Sequence, residues 1–458
     1  MTIDSIPSGV GRRLYDKAGW VEADRLHLLH PQHHPSDHRD PIVWVGGDGV
    51  DLIDIDGNRV LDGLSGMWNV HLGHGRRELV AAASDQMSTL AFATSYAGST
   101  HYAAISLAER LASLTPEGIE AFFFTSGGSD ATDSSIRTAR WYWRAVGQST
   151  KQTIIARHLS YHGSSIGASS ATGVAEFSDP FGPRLPGFVH IDPPYPYRGP
   201  SGSDAAEALE RTILSLGAET VAAFIAEPVI GGGGGVIVPD DTYFPRVREI
   251  CDRYGILLIA DEVITGFGRT GRWFGLDHWG VRPDIVQFAK GITSGYLPLG
   301  GIGVSAAIKT VLDEAEPDRR WWHGLTNSAH PVSCRVALQT LRIIDEEGLV
   351  ERSALLGQRL LDRLRDRLAS HPHVGDIRGL GLLAGVELVA DRDTKARFAA
   401  DVGLGSRLRA AMLERGLVTR IVNDTICLAP PLTIPETRLD QLADIVAQSV
   451  SALFPHSF

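Results

Sequence analysis

Short apolar runs alternating with helical patterns predict an α/β fold, a mostly parallel sheet between helices, with a smaller α+β lobe attached. Three observations carry that reading. Runs such as Val221–Ala226 and 256–260 are apolar without polar alternation, which suits strands covered on both faces. Helical patterns separate these runs, as in βαβ units. After about residue 335 the pattern changes to long amphipathic helices near 348–369 and 402–416, separated by short strands at 382–388 and Thr425–Leu428.

Size and composition agree. With 458 residues, 43% hydrophobic and 21% charged, the chain buries a large core and is expected to hold two or more lobes. A net charge of -11 argues against a nucleic-acid or anionic-membrane partner, since those select basic faces, and leaves small molecules as the expected ligands. The three cysteines, Cys251, Cys334 and Cys427, are far apart and odd in number, so neither a disulfide framework nor a CxxC metal knuckle can be drawn. A reducing cytoplasm is expected. The polar first residues exclude a signal peptide, and no run approaches a membrane span.

Taken in order, residues 1–40 hold Arg12, Arg13, Trp20, Leu26, Leu28 and Leu29 with His27, His30, His33, His34 and His38. Metal ligands need fixed spacing on a defined element, and Pro31 and Pro35 break any helix here, so the segment reads as an arm over the body and no metal is expected. From Ile42 to Val60 the pattern alternates, and Asp56-Gly57-Asn58 marks a hairpin. Helices are expected at about 77–90 and 101–114, then strands at 121–125, 153–156, Val221–Ala226, 256–260, 284–289 and 301–304. No internal repeat is visible beyond the glycine run 231–235. The expected division is an arm at 1–40, a large domain at 75–335, and a small domain built from 41–74 and 336–458.

Two of these strands end in charge. One run closes on Asp261 and another on Lys290, where desolvation costs several kcal/mol per ion unless something compensates it. A buried salt bridge between them is one explanation. The other is a cofactor between them: pyridoxal phosphate needs a lysine amine for its aldehyde and a carboxylate to keep its pyridine nitrogen protonated.

Other strand ends deliver further groups. The stretch Phe122 to Ala131 reads as strand, glycine turn and helix start, presenting unpaired N–H groups to an anion at Gly128 and Ser129, although a plain helix cap would look the same. It fits neither the Walker pattern nor G-x-G-x-x-G. In Ser160-Tyr161-His162-Gly163 a tyrosine able to stack on a ring stands beside an imidazole. Glu227 adds a carboxylate after Val221–Ala226, residues 264–271 form a glycine-rich loop, and residues 321–327 form a polar, aromatic one. Each alone is an ordinary loop. Together they supply what one phosphorylated, electron-poor ring needs.

From Trp44 to Pro435 the order and spacing resemble class-III pyridoxal-phosphate aminotransferases of fold type I, in the ω-transaminase or amine:pyruvate group. The resemblance rests on Ala260-Asp261-Glu262-Val263, Gly268-Arg269-Thr270-Gly271, Lys290-Gly291-Ile292-Thr293-Ser294-Gly295-Tyr296 and Pro298-Leu299-Gly300-Gly301. It implies a large domain with a mostly parallel seven-stranded sheet and a smaller α+β domain. By the same resemblance Lys290 carries the cofactor and Asp261 pairs with its pyridine nitrogen. Val263 and Tyr161 cover the ring faces, Gly128 and Ser129 hold the phosphate, and Glu227 completes the set. A homodimer, or a tetramer, is implied, with Thr326 reaching the partner's phosphate. Arg420 matches an arginine that receives a substrate carboxylate, and Trp68, Tyr96 and Tyr161 line the substrate pocket. The chain departs from the family's Ser-Gly-Ser-Glu-Ala at Gly127 and Asp130, and from its Phe-Thr-Tyr-Ser-Gly-His at Leu325, Asn327 and Ala329.

The implied activity is ping-pong transfer of an amino group from a primary amine or ω-amino acid to a 2-oxoacid, expected to be pyruvate. A 2-oxoglutarate-dependent ω-amino acid aminotransferase, a mutase or a decarboxylase would use the same lysine and aspartate. A dinucleotide-dependent oxidoreductase would need the G-x-G-x-x-G turn that is missing. A silent binding protein of the same fold would not need both Lys290 and Asp261.

Overall fold

The computed structural model describes residues 16–454, so Arg12 and Arg13 of the arm lie outside the described residues. Seven strands form the central sheet: β1 (Ile119–Thr125), β2 (Thr153–Arg157), β3 (Phe188–Ile191), β4 (Val221–Ala226), β5 (Leu257–Asp261), β6 (Ile285–Phe288) and β7 (Gly300–Ser305). Their spatial order is β1-β7-β6-β5-β4-β2-β3. Only β7 runs against its neighbours, and the other pairings are parallel. Strands β1, β2, β4, β5 and β6 therefore all finish at one edge.

Strand β4, and β5 up to Asp261, are apolar because both faces are covered. On one side the helices Gly202–Leu216 and Tyr243–Tyr254 lay Leu209, Ile213 and Val247 onto Phe224 and Leu258. On the other, the helix Gly128–Ala145 lays Ile136 and Ala139 onto Ile225 and Ile259. Consecutive residues of β4 and β5 thus serve opposite layers, as the two-residue period of a strand requires. Fully burying each such side chain contributes about 1.5–3 kcal/mol. Helix Tyr243–Tyr254 stops at Gly255, whose left-handed conformation (φ 60°, ψ 54°) lets its N–H reach the Cys251 and Asp252 carbonyls. The next residues enter β5.

The edge strand β3 was not among the expected strands. It has four residues, includes His190, and is defined by parallel pairing with β2 rather than by its own pattern. The expected strand at 382–388 begins only at Ala384, because Gly381 (φ 57°) makes a turn in which the Leu380 N–H meets the Leu383 carbonyl at 2.9 Å.

Two smaller sheets flank the central one. Val374–Gly379, Ala384–Leu388, Thr425–Leu428 and Arg420–Val422 form an antiparallel sheet. The hairpin Asp51–Asp54 and Arg59–Asp62, with Trp44–Asp48 outside it, forms another that Leu417–Val418 joins in parallel register with Leu61 and Asp62. Early and late parts of the chain therefore share a sheet. The helix Lys17–His27 buries none of its residues, and Lys17 pairs with Asp56 of the hairpin at 2.6 Å. Beyond it His30 and His38 stack at 3.7 Å, and among the described residues no cluster suits a metal ion. Nor is any described helix long and apolar enough to cross a membrane.

Candidate active site

The shared edge of the sheet gathers the charged strand ends. Asp261 is the last residue of β5, and Lys290 follows β6 by two positions in a strained left-handed conformation (φ 50°). They are not bonded to each other. The Nδ1–H of His162 donates to Asp261 Oδ2 at 2.6 Å, and the Val263 N–H donates to Oδ1 at 3.1 Å. Lys290 Nζ stands 5.9 Å from the centroid of the Trp68 ring and has no hydrogen bond or ion pair among the described residues. Burial pushes the pKa of Lys290 down. Asp261 and Glu227 oppose that shift, and Arg420 adds to it.

Glu227 lies just beyond β4, with one carboxylate oxygen accepting from the Tyr161 N–H and the other from the Gly231 N–H, each at 3.0 Å. Burial raises its pKa and Asp261 raises it further, against the pull of His162. The Tyr161 ring packs edge-on against Phe177 with centroids 4.9 Å apart.

The helix Gly128–Ala145 starts at the same edge without a side-chain cap, leaving first-turn N–H groups for an anion. A Cβ on Gly128 would meet Val263 Cγ1 at 3.2 Å, so the helix start packs directly against Val263. Ser129 Oγ accepts from the Ser164 N–H at 3.1 Å.

Trp68 is 2% exposed and lies near both the Lys290 amine and the Arg420 guanidinium, the latter 5.7 Å from its centroid. Its turn is strained, since Ser65, Gly66 and Trp68 all have positive φ. The buried Asp62 carboxylate accepts from the Leu64 and Gly66 N–H groups, and the buried Arg269 donates to Ser65 Oγ and to the carbonyls of Leu382 and Pro430. Burial pushes Arg269 down to about 9, against the opposing pull of Asp62. Arg420 also donates to Met67 Sδ at 3.5 Å.

One chain does not bring every expected residue together. Tyr96 is half exposed and lines a separate cavity of about 390 Å³ with Phe123, Trp321 and His323. Thr326 is exposed in the loop that follows. Sequence reasoning placed His162 at this edge without a role, and missed Asp62 and Arg269 as supports. The partners of Arg269 lie far away in the sequence, so spacing carries no signal for it, whereas Asp62 binds N–H groups only two and four residues on.

The model of the class-III aminotransferases matches residues 33–450. The chain belongs to that family. This aminotransferase is 42% identical over 432 residues to the putrescine–pyruvate aminotransferase of Pseudomonas aeruginosa, covering 92% of this chain and 94% of the relative. Its fold superimposes on an (S)-enantioselective omega-transaminase from Thermomicrobium roseum with a TM-score of 0.93 and 47% identity, over 96% of this chain and 99% of that one. It also matches the Pseudomonas jessenii omega transaminase in complex with PMP, at a TM-score of 0.91 and 36% identity over 94% and 97% of the two chains. Class-III aminotransferases depend on pyridoxal phosphate. The residues of this aminotransferase fit that group: Lys290 carries an amine with no hydrogen-bond partner among the described residues, Asp261 is a buried carboxylate, and an uncapped helix starts at the same sheet edge.

Proposed function

We propose that the protein moves an amino group from a primary amine or ω-amino acid to pyruvate by a ping-pong mechanism, with Lys290 and Asp261 as the catalytic pair. The observation that carries the reading is that the buried Asp261 carboxylate and the half-buried Lys290 amine stand at adjacent strand ends and are not bonded to each other. When bound, pyridoxal phosphate supplies an electron-accepting ring for negative charge at the substrate carbon that bears nitrogen.

In this reading the Lys290 amine would hold the cofactor by its aldehyde, and its Nζ would serve as the base for the proton on that carbon. A lowered pKa favours the neutral amine both steps require. Asp261, held by His162 and the Val263 N–H, faces the pyridine nitrogen. Gly128 and Ser129 hold the phosphate through the helix start, while Val263 and Tyr161 cover the ring faces, the latter oriented by Glu227. Arg420 grips the oxoacid carboxylate through paired N–H donors, and Trp68 shapes the pocket beside it.

Tyr96 and Thr326 are assigned to the site of a second copy, in a homodimer or a tetramer. Exposed Val80, Met87, Phe92, Tyr102 and Ile105 support this, as they make an apolar face on and between the helices Arg77–Thr89 and Tyr102–Ala112. We assign residues 75–335 to the cofactor-holding domain and 41–74 with 336–458 to the small domain. Three buried, unpaired cysteines support a reducing cytoplasm.

Pyruvate as acceptor is supported by the relative from Pseudomonas aeruginosa. The test is a panel of amines and ω-amino acids, each paired with pyruvate or 2-oxoglutarate, read as product formed. Turnover with pyruvate is expected, and a strict need for 2-oxoglutarate would overturn the acceptor assignment.

A further inference from the structure

Strand β6 places an amide in the core. Gln287 is fully buried among Ile285, Val286 and Phe288, a position that costs free energy unless hydrogen bonds compensate it. Its Nε2 donates to Thr132 Oγ1 at 2.8 Å, and Thr132 Oγ1 donates to the His162 carbonyl at 2.6 Å. Thr132 has one hydroxyl proton and spends it on that carbonyl, so its oxygen must accept from Gln287. This settles which end of the amide faces it. His162 then donates through Nδ1 to Asp261 Oδ2 at 2.6 Å.

The path leaves β6, crosses to the helix Gly128–Ala145, passes to the loop after β2 and ends on β5. Its two ends, Gln287 and Asp261, are register partners, so their side chains share a face of the sheet. The Thr172 hydroxyl accepts from the His162 N–H at 3.0 Å and holds the loop from a further side. The link at His162 runs from its backbone carbonyl to its ring through Cα and Cβ, so it acts by fixing the position of the residue, and losing a bond frees the ring to shift on Asp261.

We propose that Gln287 and Thr132 are positioning residues that hold the His162 imidazole on Asp261 and thereby orient the carboxylate toward the cofactor. This rests on the reading that Asp261 faces the pyridine nitrogen. The charged groups around the pair are Glu227, Lys290 and, beyond Lys290, Arg420.

The test titrates the visible absorption band of the lysine-linked cofactor with pH in the holoenzyme. It compares wild type, Gln287→Met, Thr132→Val, the double variant and Thr132→Ser. Each of the first two single variants is expected to move the midpoint by about 0.5 pH unit or more and to lower kcat about tenfold with KM within about twofold. The double variant moves no further than a single one, because both remove the same chain. Thr132→Ser keeps the hydroxyl and returns the midpoint to the wild-type value. Binding of pyridoxal phosphate to the full-length apoprotein gives a readout independent of turnover, and weakens in the same order. Midpoints that stay at the wild-type value while melting temperatures fall would overturn the inference, as would additive shifts. A wild-type protein that forms no such band would overturn the functional reading and this inference together, whereas a normal wild-type band with unresponsive variants overturns the inference alone.

Discussion

Glu262, next to Asp261, offers a quantitative test of the local electrostatics. Its carboxylate is buried, accepts from the Thr265 hydroxyl, and accepts from the N–H groups of Gly275 at 2.7 Å and Leu276 at 2.9 Å. It thereby ties the glycine-rich loop to the end of β5. Burial raises its pKa from 4.5 to about 7 despite these donors. Between those two values the unfolded chain has released the proton and the folded chain has kept it, so stability from this residue falls as pH rises from 4.5 to about 7 and is flat above. At 1.36 kcal/mol per pH unit the loss amounts to about 3 kcal/mol. Glu262→Gln cannot ionise and lacks this slope. It also sets an amide donor against a backbone donor, at a cost of about 1–3 kcal/mol at every pH. The stability of the variant minus that of wild type is therefore expected to climb by about 3 kcal/mol from pH 4.5 to 7.5, from negative at the acid end toward zero or above. Paired urea unfolding curves across that range measure it. A difference that stays flat within about 0.5 kcal/mol would refute the assignment of a raised pKa to Glu262.

Three substitutions probe the site itself. Gly291→Ala sets a Cβ 2.4 Å from His71 Nε2, directly behind Lys290, and is expected to cost about 1–3 kcal/mol as overpacking, seen as a lower melting temperature. Gly128→Val crowds Val263 in the hollow assigned to the cofactor, so pyridoxal phosphate affinity measured by titration of apoprotein should fall at least about tenfold, while far-ultraviolet dichroism stays unchanged. Arg420→Ala removes the guanidinium above Trp68, and KM for the oxoacid should rise about tenfold or more while KM for an amine without a carboxylate moves within about threefold, as steady-state kinetics with each substrate varied will show.

The strands were legible where burial on both faces leaves an unbroken apolar run, as in β4 and β5. Edge strand β3 was not, because a short edge strand with a histidine has no pattern of its own and takes its identity from β2. Lys290 and Asp261 were legible for a related reason: a charge at the end of an apolar run is costly enough to demand a partner. Arg269 and Gln287 carry the same cost, but their compensation comes from carbonyls and hydroxyls distant in the sequence, which only the fold brings near. His162 was placed at the right edge, yet its bond to Asp261 spans 99 positions and no local spacing signals it. Trp68 and Arg420 come together within one chain, whereas Tyr96 lines a separate cavity and Thr326 is exposed in a loop.

The most direct test of the central claim is the absorbance of the purified holoenzyme before and after an amine donor is added, for wild type and Lys290→Ala. Wild type should show a near-ultraviolet to visible band that the amine bleaches and pyruvate restores, and Lys290→Ala should lose both the band and turnover. A Lys290→Ala protein that turns over at the wild-type rate would contradict the account.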